Sequence, residues 1–226
     1  MTLDGWAKLL TPVNLWFLAK ALGTTLELAL LVASLSFPIA ALLGVYRATT
    51  SGPLRWPSTI FVDGIRNTPL LVLIFFMRFG PPTLGFRLDS FTAGAAGMTI
   101  YSSANLAEVF RAGIESVPRG QRQAAMAAGL TASQAYLRIV LPQAFRNMLP
   151  ALVGQFIILV QGTSLVSAFS VIELTGAGEI LFNRYGNPLE TYALIGFIYF
   201  SVDFALANVR SVLERRFGYA GVAPAD

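Results

Sequence analysis

Ionisable side chains within apolar stretches are the first candidates for function in this sequence. A charged side chain near the centre of a membrane span costs about 2.5–3.5 kcal/mol on insertion scales, so such residues are rare and commonly functional. Asp203 is the only charge in the apolar stretch 191–209, where it could line a path for a polar solute or hydrogen-bond to another helix. Glu27 is the only charge in 22–46 and lies close enough to the end of that stretch to reach the interface.

Uncharged polar side chains in the apolar stretches form a second set of candidates. Their hydroxyl and amide groups could bind a zwitterionic solute as it crosses, although each could instead form a hydrogen bond between packed helices. The candidate lining of a solute path comprises Asn67, Thr68, Tyr101, Ser102, Ser103, Asn105, Gln155, Gln161, Ser164 and Asp203.

Two residue types that many enzymes need are missing, because the chain contains no cysteine and no histidine. This composition excludes Cys/His zinc sites, cysteine nucleophiles and triads that need an imidazole. The two lysines, Lys8 and Lys20, each follow an alanine, so the sequence contains no GxxxxGK[ST] phosphate-binding loop. We expect that the chain is not an enzyme and binds no metal or cofactor itself. A membrane hydrolase with a Ser/Lys or carboxylate pair is left as an alternative.

The composition places these side chains in a membrane protein. Of the 226 residues, 55% are hydrophobic and 12% are charged, and the mean hydropathy is +0.63. An average soluble domain has about 25% charged residues, so these values predict a polytopic membrane protein. The net charge of +4 comes from basic residues beside the apolar stretches, which favours loops facing an anionic leaflet over nucleic-acid binding.

Five apolar stretches are long enough to be transmembrane helices, since a hydrocarbon core of about 30 Å needs about 20 helical residues. We predict an all-α polytopic fold that forms one transmembrane domain over residues 1–226. Residues 1–20 are expected to be a short interfacial segment or a loosely held tail, and 111–147 to be a polar loop between the third and fourth spans. The five predicted spans cover residues 22–46, 60–79, 91–110, 148–172 and 191–209. Pro69, which lacks a backbone donor, predicts a kinked entry to the second span.

The basic residues outside the spans predict the orientation, because cytoplasmic loops carry an excess of lysine and arginine. Ten of them fall on one side: Arg47, Arg55, Arg111, Arg119, Arg122, Arg138, Arg146, Arg210, Arg215 and Arg216. Five fall on the other side: Lys8, Lys20, Arg78, Arg87 and Arg184. The bias places the C-terminus and the polar loop in the cytoplasm and the N-terminus outside. Glu108 and Arg111, at i and i+3, are predicted to form an interfacial ion pair at the cytoplasmic end of the third span.

The polar stretch 116–142 contains helix breakers that divide it into short pieces. A first helix is predicted over roughly 122–128 and stopped by Gly129, and a second from about 133 to 140, ending ahead of Pro142. The stretch is too polar to span a membrane and too structured for a spacer. It is therefore predicted to dock on a partner, with an amphipathic helix on the leaflet as the alternative.

The spacing of these residues resembles the EAA signature of ATP-binding-cassette (ABC) importer permeases. Gln123, Ala124 and Ala125 are followed after three residues by Gly129, and the run from Ile139 to Pro142 follows nine residues later. Two other stretches are similar to the polar amino acid branch of this family, namely Arg66–Leu71 to its RGTPLL motif and Thr163–Leu165 to its TSL motif. The resemblance extends over about residues 24–217.

Two positions depart from the family pattern. Gln123 replaces the usual first glutamate of the signature, which keeps a polar helix former but removes a charge. Gln161 and Gly162 stand where the family usually has lysine and aspartate before TSL.

The resemblance implies the type I ABC importer fold, with a cytoplasmic coupling helix between the third and fourth spans. That helix would dock in a groove of a separate ATP-hydrolysing subunit, which would bind the ATP and magnesium. An alanine-rich helix suits this role because it presents little side-chain bulk. The residues expected to dock on the ATPase subunit are Gln123, Ala124, Ala125, Gly129, Leu130, Ile139, Leu141 and Pro142.

The implied function is that of a permease subunit of an ATP-driven importer for polar or charged amino acids in the bacterial cytoplasmic (inner) membrane. Expected partners are two ATP-binding subunits, a second permease subunit that is identical or homologous, and an extracytoplasmic binding protein that delivers the amino acid. Transport would proceed by alternating access. The alternative is an autonomous ion-coupled carrier or channel, with Asp203 and Glu27 as coupling sites.

Overall fold

The structure is a computed structural model that describes residues 3–217, and the regular elements of that part of the chain are all helices. The all-α prediction is thereby confirmed. Short 3₁₀ segments cover Gly52–Arg55 and Thr163–Phe169, and a π-helical turn covers Tyr136–Val140. The α-helices are α1 (Leu3–Leu9), α2 (Pro12–Thr49), α3 (Trp56–Arg66), α4 (Leu70–Thr83), α5 (Ser90–Glu115), α6 (Arg119–Ala127), α7 (Ala132–Ala135), α8 (Leu141–Gly162), α9 (Leu174–Tyr185) and α10 (Pro188–Phe217).

Three helical segments of the described chain are long and apolar enough to cross a membrane: Pro12–Thr49, Ala132–Phe169 and Pro188–Phe217. The first is longer than predicted because the chain becomes helical at Pro12, whose ring suits the first position of a helix. The predicted span 91–110 lies within α5. Its many small and polar residues make this helix less apolar than the other three.

The stretch 60–79, predicted to be one kinked span, consists of two helices. Helix α3 ends at Arg66 and α4 begins at Leu70. Together the two helices are apolar enough to cross a membrane, but the chain bends by 101° between them. Pro69 lacks a backbone N–H and disfavours a helical conformation for Thr68, so the break falls where the sequence predicted a kink. If this bent pair is one span, the described chain has up to four candidates, and the five-span count stays a prediction.

The predicted end of the second short helix ahead of Pro142 is wrong. The chain runs from α7 through the π turn into α8, which begins at Leu141 and includes Pro142. In that turn the N–H of Leu141 donates to the carbonyl of Tyr136, five residues back. The wider turn relieves the clash between a proline ring and the carbonyl one turn earlier, so the helix continues through the proline.

The described chain falls into two compact units. The first comprises the chain up to Leu35, Thr68–Tyr101 and Phe156–Ala205, and the second comprises Ser36–Asn67, Ser102–Gln155 and the chain from Leu206 onward. Each unit has its own apolar core. One core in the first unit contains Leu9, Leu18, Ala21, Leu174, Ala177, Leu181 and Ile195. The core of the second contains Ala40, Val62, Ala104, Leu106, Ala107, Phe110, Ile114, Val117, Val140, Ala144 and Met148.

Small residues of α5 allow close helix contacts in the first unit. A Cβ added to Gly97 would lie 2.9 Å from the Cα of Ile74 in α4, and one added to Gly94 would lie 2.5 Å from a methyl carbon of Val166. Only glycine lets backbones approach to this distance, as expected for the small-residue pattern of this stretch.

The start of α5 is fixed by Asp89. One carboxylate oxygen of Asp89 accepts the backbone N–H groups of Phe91 (3.0 Å) and Thr92 (3.1 Å), and the other accepts the Thr92 hydroxyl. The hydroxyl of Thr92 and these backbone groups lower the pKa of Asp89. The cap is therefore at full strength above the carboxyl's ordinary pKa and weakens as the pH falls through the lowered pKa.

Candidate functional site: the docking helix and a polar cavity

Helix α6 ends in a Schellman motif that reverses the chain. The N–H of Gly129 donates to the carbonyl of Met126 (3.0 Å), and the N–H of Leu130 donates to that of Ala125 (3.2 Å). Gly129 has a φ of 91°, which disfavours any residue with a Cβ, although the space around it is open. The predicted stop at Gly129 is confirmed, and the requirement for glycine there is conformational.

The next helix is held by a capping box. The Thr131 hydroxyl accepts the backbone N–H of Gln134 (3.3 Å), and the Gln134 side chain accepts the N–H of Thr131 (3.0 Å). The spacing T-x-x-Q is the sequence signal of such a box. The helix it caps begins at Ala132, one residue before the predicted start at 133. Together the Schellman motif and the box set the geometry between α6 and α7.

The faces of α6 have different surroundings. Arg119, Arg122, Gln123 and Met126, at spacings i, i+3, i+4 and i+7, line a cavity in the second unit. Ala125 is 8% exposed. The remaining surface, which includes Ala124, Ala127 and Ala128, is exposed and small in side-chain volume.

The predicted docking residues therefore do not share one exposed face. Ala124, Gly129 and Pro142 are exposed, and so is Gln123, which lines the cavity. Ala125 is buried. The half-buried members of the set are Leu130, Ile139 and Leu141.

A smaller polar cavity in the second unit brings two predicted path residues together. It has a volume of ≈ 340 Å³, and its lining includes Asn105 of α5 and Gln155 of α8. Arg66 and Glu108 lie in the same lining, so the cavity combines a guanidinium, a carboxylate and two amides. This set can complement both charged ends of a zwitterion.

An ion-pair network adjoins this cavity. Glu108 accepts from the Nε of Arg111 at 3.1 and 3.0 Å, and it pairs with Arg47 (3.2 Å) and Arg66 (3.9 Å). Arg47 is only 5% exposed and also pairs with Asp63 (3.3 Å). The predicted Glu108 and Arg111 pair is confirmed, and the network joins the end of α2 to α3 and α5.

The other path candidates are not among the residues that line the polar cavity. Asp203 accepts a hydrogen bond from the Gln161 amide (2.7 Å), which joins α10 to α8 and matches the inter-helix alternative left open for Asp203. The Ser164 hydroxyl donates to the Gln161 carbonyl (2.7 Å), within its own segment.

Five further candidates for the solute path are described by their hydrogen bonds or by their burial. The Ser36 hydroxyl donates to Ser102 (3.2 Å), and Ser103 is 1% exposed. The Asn67 amide donates to the Asp63 carbonyl (2.7 Å). Thr68 and Tyr101 are half-buried in the first unit.

Glu173 is a buried carboxylate that was not among the predicted site residues. Its side chain is fully buried and accepts the N–H of Gly176 (2.8 Å), the Tyr199 hydroxyl (2.8 Å) and the Thr25 hydroxyl (3.4 Å). Thr25 in turn accepts the N–H of Leu174 (3.0 Å). Glu173 therefore caps α9 and joins it to α2 and α10 in the first unit. A glutamate at the start of a polar loop gave no sequence signal for this role.

Replacing Glu173 by alanine is expected to lower the free energy of unfolding by about 3 kcal/mol, because the buried N–H of Gly176 and the half-buried hydroxyl of Tyr199 lose their acceptor. Thermal denaturation of the purified chain measures this effect. Glu179→Ala is the matched control, since Glu179 is exposed on the same helix, and it should leave the melting temperature nearly unchanged. Equal melting temperatures for the two variants would contradict a structural role for Glu173.

Known proteins resemble this chain over most of its length. A family model described as "Binding-protein-dependent transport system inner membrane component" matches residues 36–219. The chain is 38% identical over 181 residues to the probable glutamine ABC transporter permease protein GlnM of Bacillus subtilis (strain 168), covering 80% of this chain and 84% of that protein. It is 34% identical over 209 residues to the L-cystine transport system permease protein TcyB of the same organism, covering 92% and 89%.

A solved structure has the same arrangement of helices. A chain in a crystal structure of an amino acid ABC transporter with histidines matches with a TM-score of 0.87 at 30% identity. The match covers 96% of this chain and 100% of that one.

Proposed function

Because the chain belongs to the family of binding-protein-dependent transport system inner membrane components, we propose that it is the permease subunit of an ATP-driven importer for polar or charged amino acids. The resemblance to ABC importer permeases seen in the sequence is confirmed, and such permeases are not themselves enzymes. The amino acid cargo is proposed from the names of the relatives, which refer to glutamine in one case and cystine in the other. ATP and magnesium would bind in the partner ATPase subunits.

The observation that most supports an ATP-coupled mechanism is the continuity between α6 and a candidate span. The exposed alanine face of α6 is followed by the Schellman turn, and the segment Ala132–Phe169 then runs as one apolar helical stretch. A displacement of α6 by a docked ATPase subunit would pass through Gly129 and the π turn into α8. We propose that Gln123 to Leu130 contact the ATPase, and that Ile139 to Pro142 transmit the movement.

The remainder of the architecture follows from the same proposal. One transmembrane domain over residues 1–226 would have five spans, the N-terminus outside and the C-terminus in the cytoplasm of a bacterial inner membrane. Two such permease subunits, identical or homologous, would pair with two ATPase subunits. A binding protein would deliver the amino acid, and alternating access would carry it across.

The polar cavity is the part of the solute path that the geometry supports best. Arg66 can pair with an α-carboxylate and Glu108 with an α-ammonium, while Asn105 and Gln155 supply neutral donors and acceptors. The pair of Gln161 and Asp203 is proposed as a second polar position in the first unit.

Alanine at Asn105 or Gln155 should raise the KM for amino acid uptake about tenfold each, the effect of losing one hydrogen bond to a charged group. Uptake of labelled amino acid into proteoliposomes containing the whole complex measures this change. Ser201→Ala is the control, because the Ser201 hydroxyl only donates to the Phe197 carbonyl of its own helix. An unchanged KM in both cavity variants would remove this cavity from the path.

Reconstitution tests the proposed function itself. The permease, its co-purifying ATPase subunits and the binding protein are placed in liposomes, and uptake of glutamine, cystine and arginine is compared with and without internal ATP. ATP-dependent uptake is expected for at least one polar amino acid. Uptake that an ion gradient drives without any ATPase subunit would instead support an autonomous carrier and overturn the proposal.

A further inference from the structure

A second cavity in the second unit lies against α6 and has no role in the proposed transport path. Its volume is ≈ 800 Å³. Four parts of the chain wall it: the end of α2 with the turn that follows, the end of α5, helix α6, and the π turn. The cavity therefore adjoins the docking helix on the side away from its exposed alanines.

The lining of this cavity is strongly basic. Arg55, Arg119 and Arg122 all contribute to it, and no carboxylate of residues 3–217 lies within ion-pair distance of any of the three. The single acidic residue in the lining, Glu115, is already paired with Arg111. The three guanidinium groups thus line the cavity without a carboxylate partner, so they are available to pair with a bound anion.

The geometry suits a phosphate group in particular. The guanidinium of Arg122 lies 5.5 Å from the centroid of the Tyr136 ring, which orients its planar fork. Arginine forks bind phosphate oxygens in pairs, and the hydroxyls of Thr50 and Ser51 in the same lining add neutral donors. Ile114 and Val140 form an apolar part of the wall that can contact the carbon skeleton of an ester.

We infer that this cavity binds a phosphate-bearing anion that bridges Arg55, after α2, to Arg119 and Arg122 on α6. An anionic phospholipid headgroup and a soluble phosphate compound share this chemistry. Basic pockets beside membrane helices on the cytoplasmic side bind anionic headgroups, so the lipid is the expected source. The lipid source rests on the proposed membrane orientation, whereas anion binding does not.

A bound phosphate would hold α6 at a set distance from the end of α2. The bridge would add to the contacts that α6 makes with α7 and the π turn, and would so help to set the position of the docking helix. The anion is thus a structural ligand of the coupling region, and the ATPase activity of the complex should depend on it.

The experiment measures thermal stabilisation of the purified permease complex in detergent. The probes are phosphatidylglycerol, phosphatidylcholine as the neutral lipid, and inorganic phosphate. The test variant combines Arg55→Gln, Arg119→Gln and Arg122→Gln. The matched control combines Arg138→Gln, Arg215→Gln and Arg216→Gln, which removes the same charge from exposed arginines outside the cavity.

Phosphatidylglycerol is expected to raise the melting temperature of the wild type and the control triple, while phosphatidylcholine does not. The test variant should need at least tenfold more phosphatidylglycerol for the same shift. If inorganic phosphate reproduces a shift that the test variant loses, the site is confirmed with a soluble source. An equal phosphatidylglycerol response in the test and control triples, or no response of the wild type to either anion, overturns the inference.

A single substitution covers the case in which the triple variant fails to assemble. Arg55→Gln leaves α6 unchanged, so its loss of the phosphatidylglycerol shift would support the bridge, and a retained shift would count against it. The readout is ligand binding and not transport. A failure of this inference is therefore distinguishable from a failure of the proposed function.

Discussion

Replacing Gly44 by alanine is expected to destabilise the protein strongly, because the added methyl group has the shortest contact of any described glycine. A Cβ at this position would lie 2.4 Å from the Cβ of Phe110 and 2.6 Å from the carbonyl oxygen of Ala107. Both atoms belong to the framework of α5, so no flexible side chain can move aside. Overpacking of this kind costs about 3 kcal/mol. For a chain of this size the melting temperature should fall by about 6–12 °C.

Gly23→Ala is the matched control for this prediction. Gly23 lies in the same helix, and a Cβ there would meet no atom within 4 Å. Since alanine is the better helix former, this variant should be as stable as the wild type or slightly more stable. The melting temperatures of both purified variants measure this difference. A Gly44→Ala variant as stable as Gly23→Ala would show that α2 and α5 do not approach this closely.

Replacing Ala124 by tryptophan is expected to weaken the proposed association with the ATPase subunit without unfolding the permease. Ala124 is exposed on α6, where the neighbouring Ala127 and Ala128 are also exposed and small. If this face enters a groove, a large side chain must be overpacked at a cost of about 1–3 kcal/mol, which weakens binding by roughly 10- to 100-fold. Co-purification of the ATPase subunit and ATP-dependent uptake measure the loss.

The control for docking is Ala132→Trp in the adjacent helix. Ala132 is also an exposed alanine, but it belongs to α7 and is not among the proposed contacts. The melting temperature of both permease variants should match the wild type, because neither side chain is buried. Retention of the ATPase subunit by Ala124→Trp would move the docking surface away from this face of α6.

The sequence predicted the features of this protein that depend on local chemistry. Gly129 ended α6 as expected, because a backbone at φ 91° selects glycine in any context. Pro69 broke the helix where a kink was predicted, since the missing N–H is a property of proline itself. The spacing from Gln123 to Pro142 indicated the family, and the comparisons bear this out.

Features that depend on distant parts of the chain were missed or misplaced. Pro142 was predicted to end a helix, but the π turn before it lets the helix continue. Glu173 was not among the predicted site residues, because two of its partners, Thr25 and Tyr199, come from distant parts of the chain. Glu108 was predicted to pair with Arg111, yet its pairing with Arg47 required the end of α2 to approach α5.

The sequence alone determined the membrane class, the helical fold, the family and the position of the short helix that ends before Gly129. These follow from hydropathy, from breakers and from residue spacing, all of which are read along one stretch of chain. The tertiary structure decided which polar groups meet. It brought Asn105 and Gln155 into one cavity, placed Gln161 beside Asp203, and put Arg119 and Arg122 of α6 in the same cavity lining as Arg55. Those contacts join residues far apart in sequence, and only the packing of whole helices sets their distances.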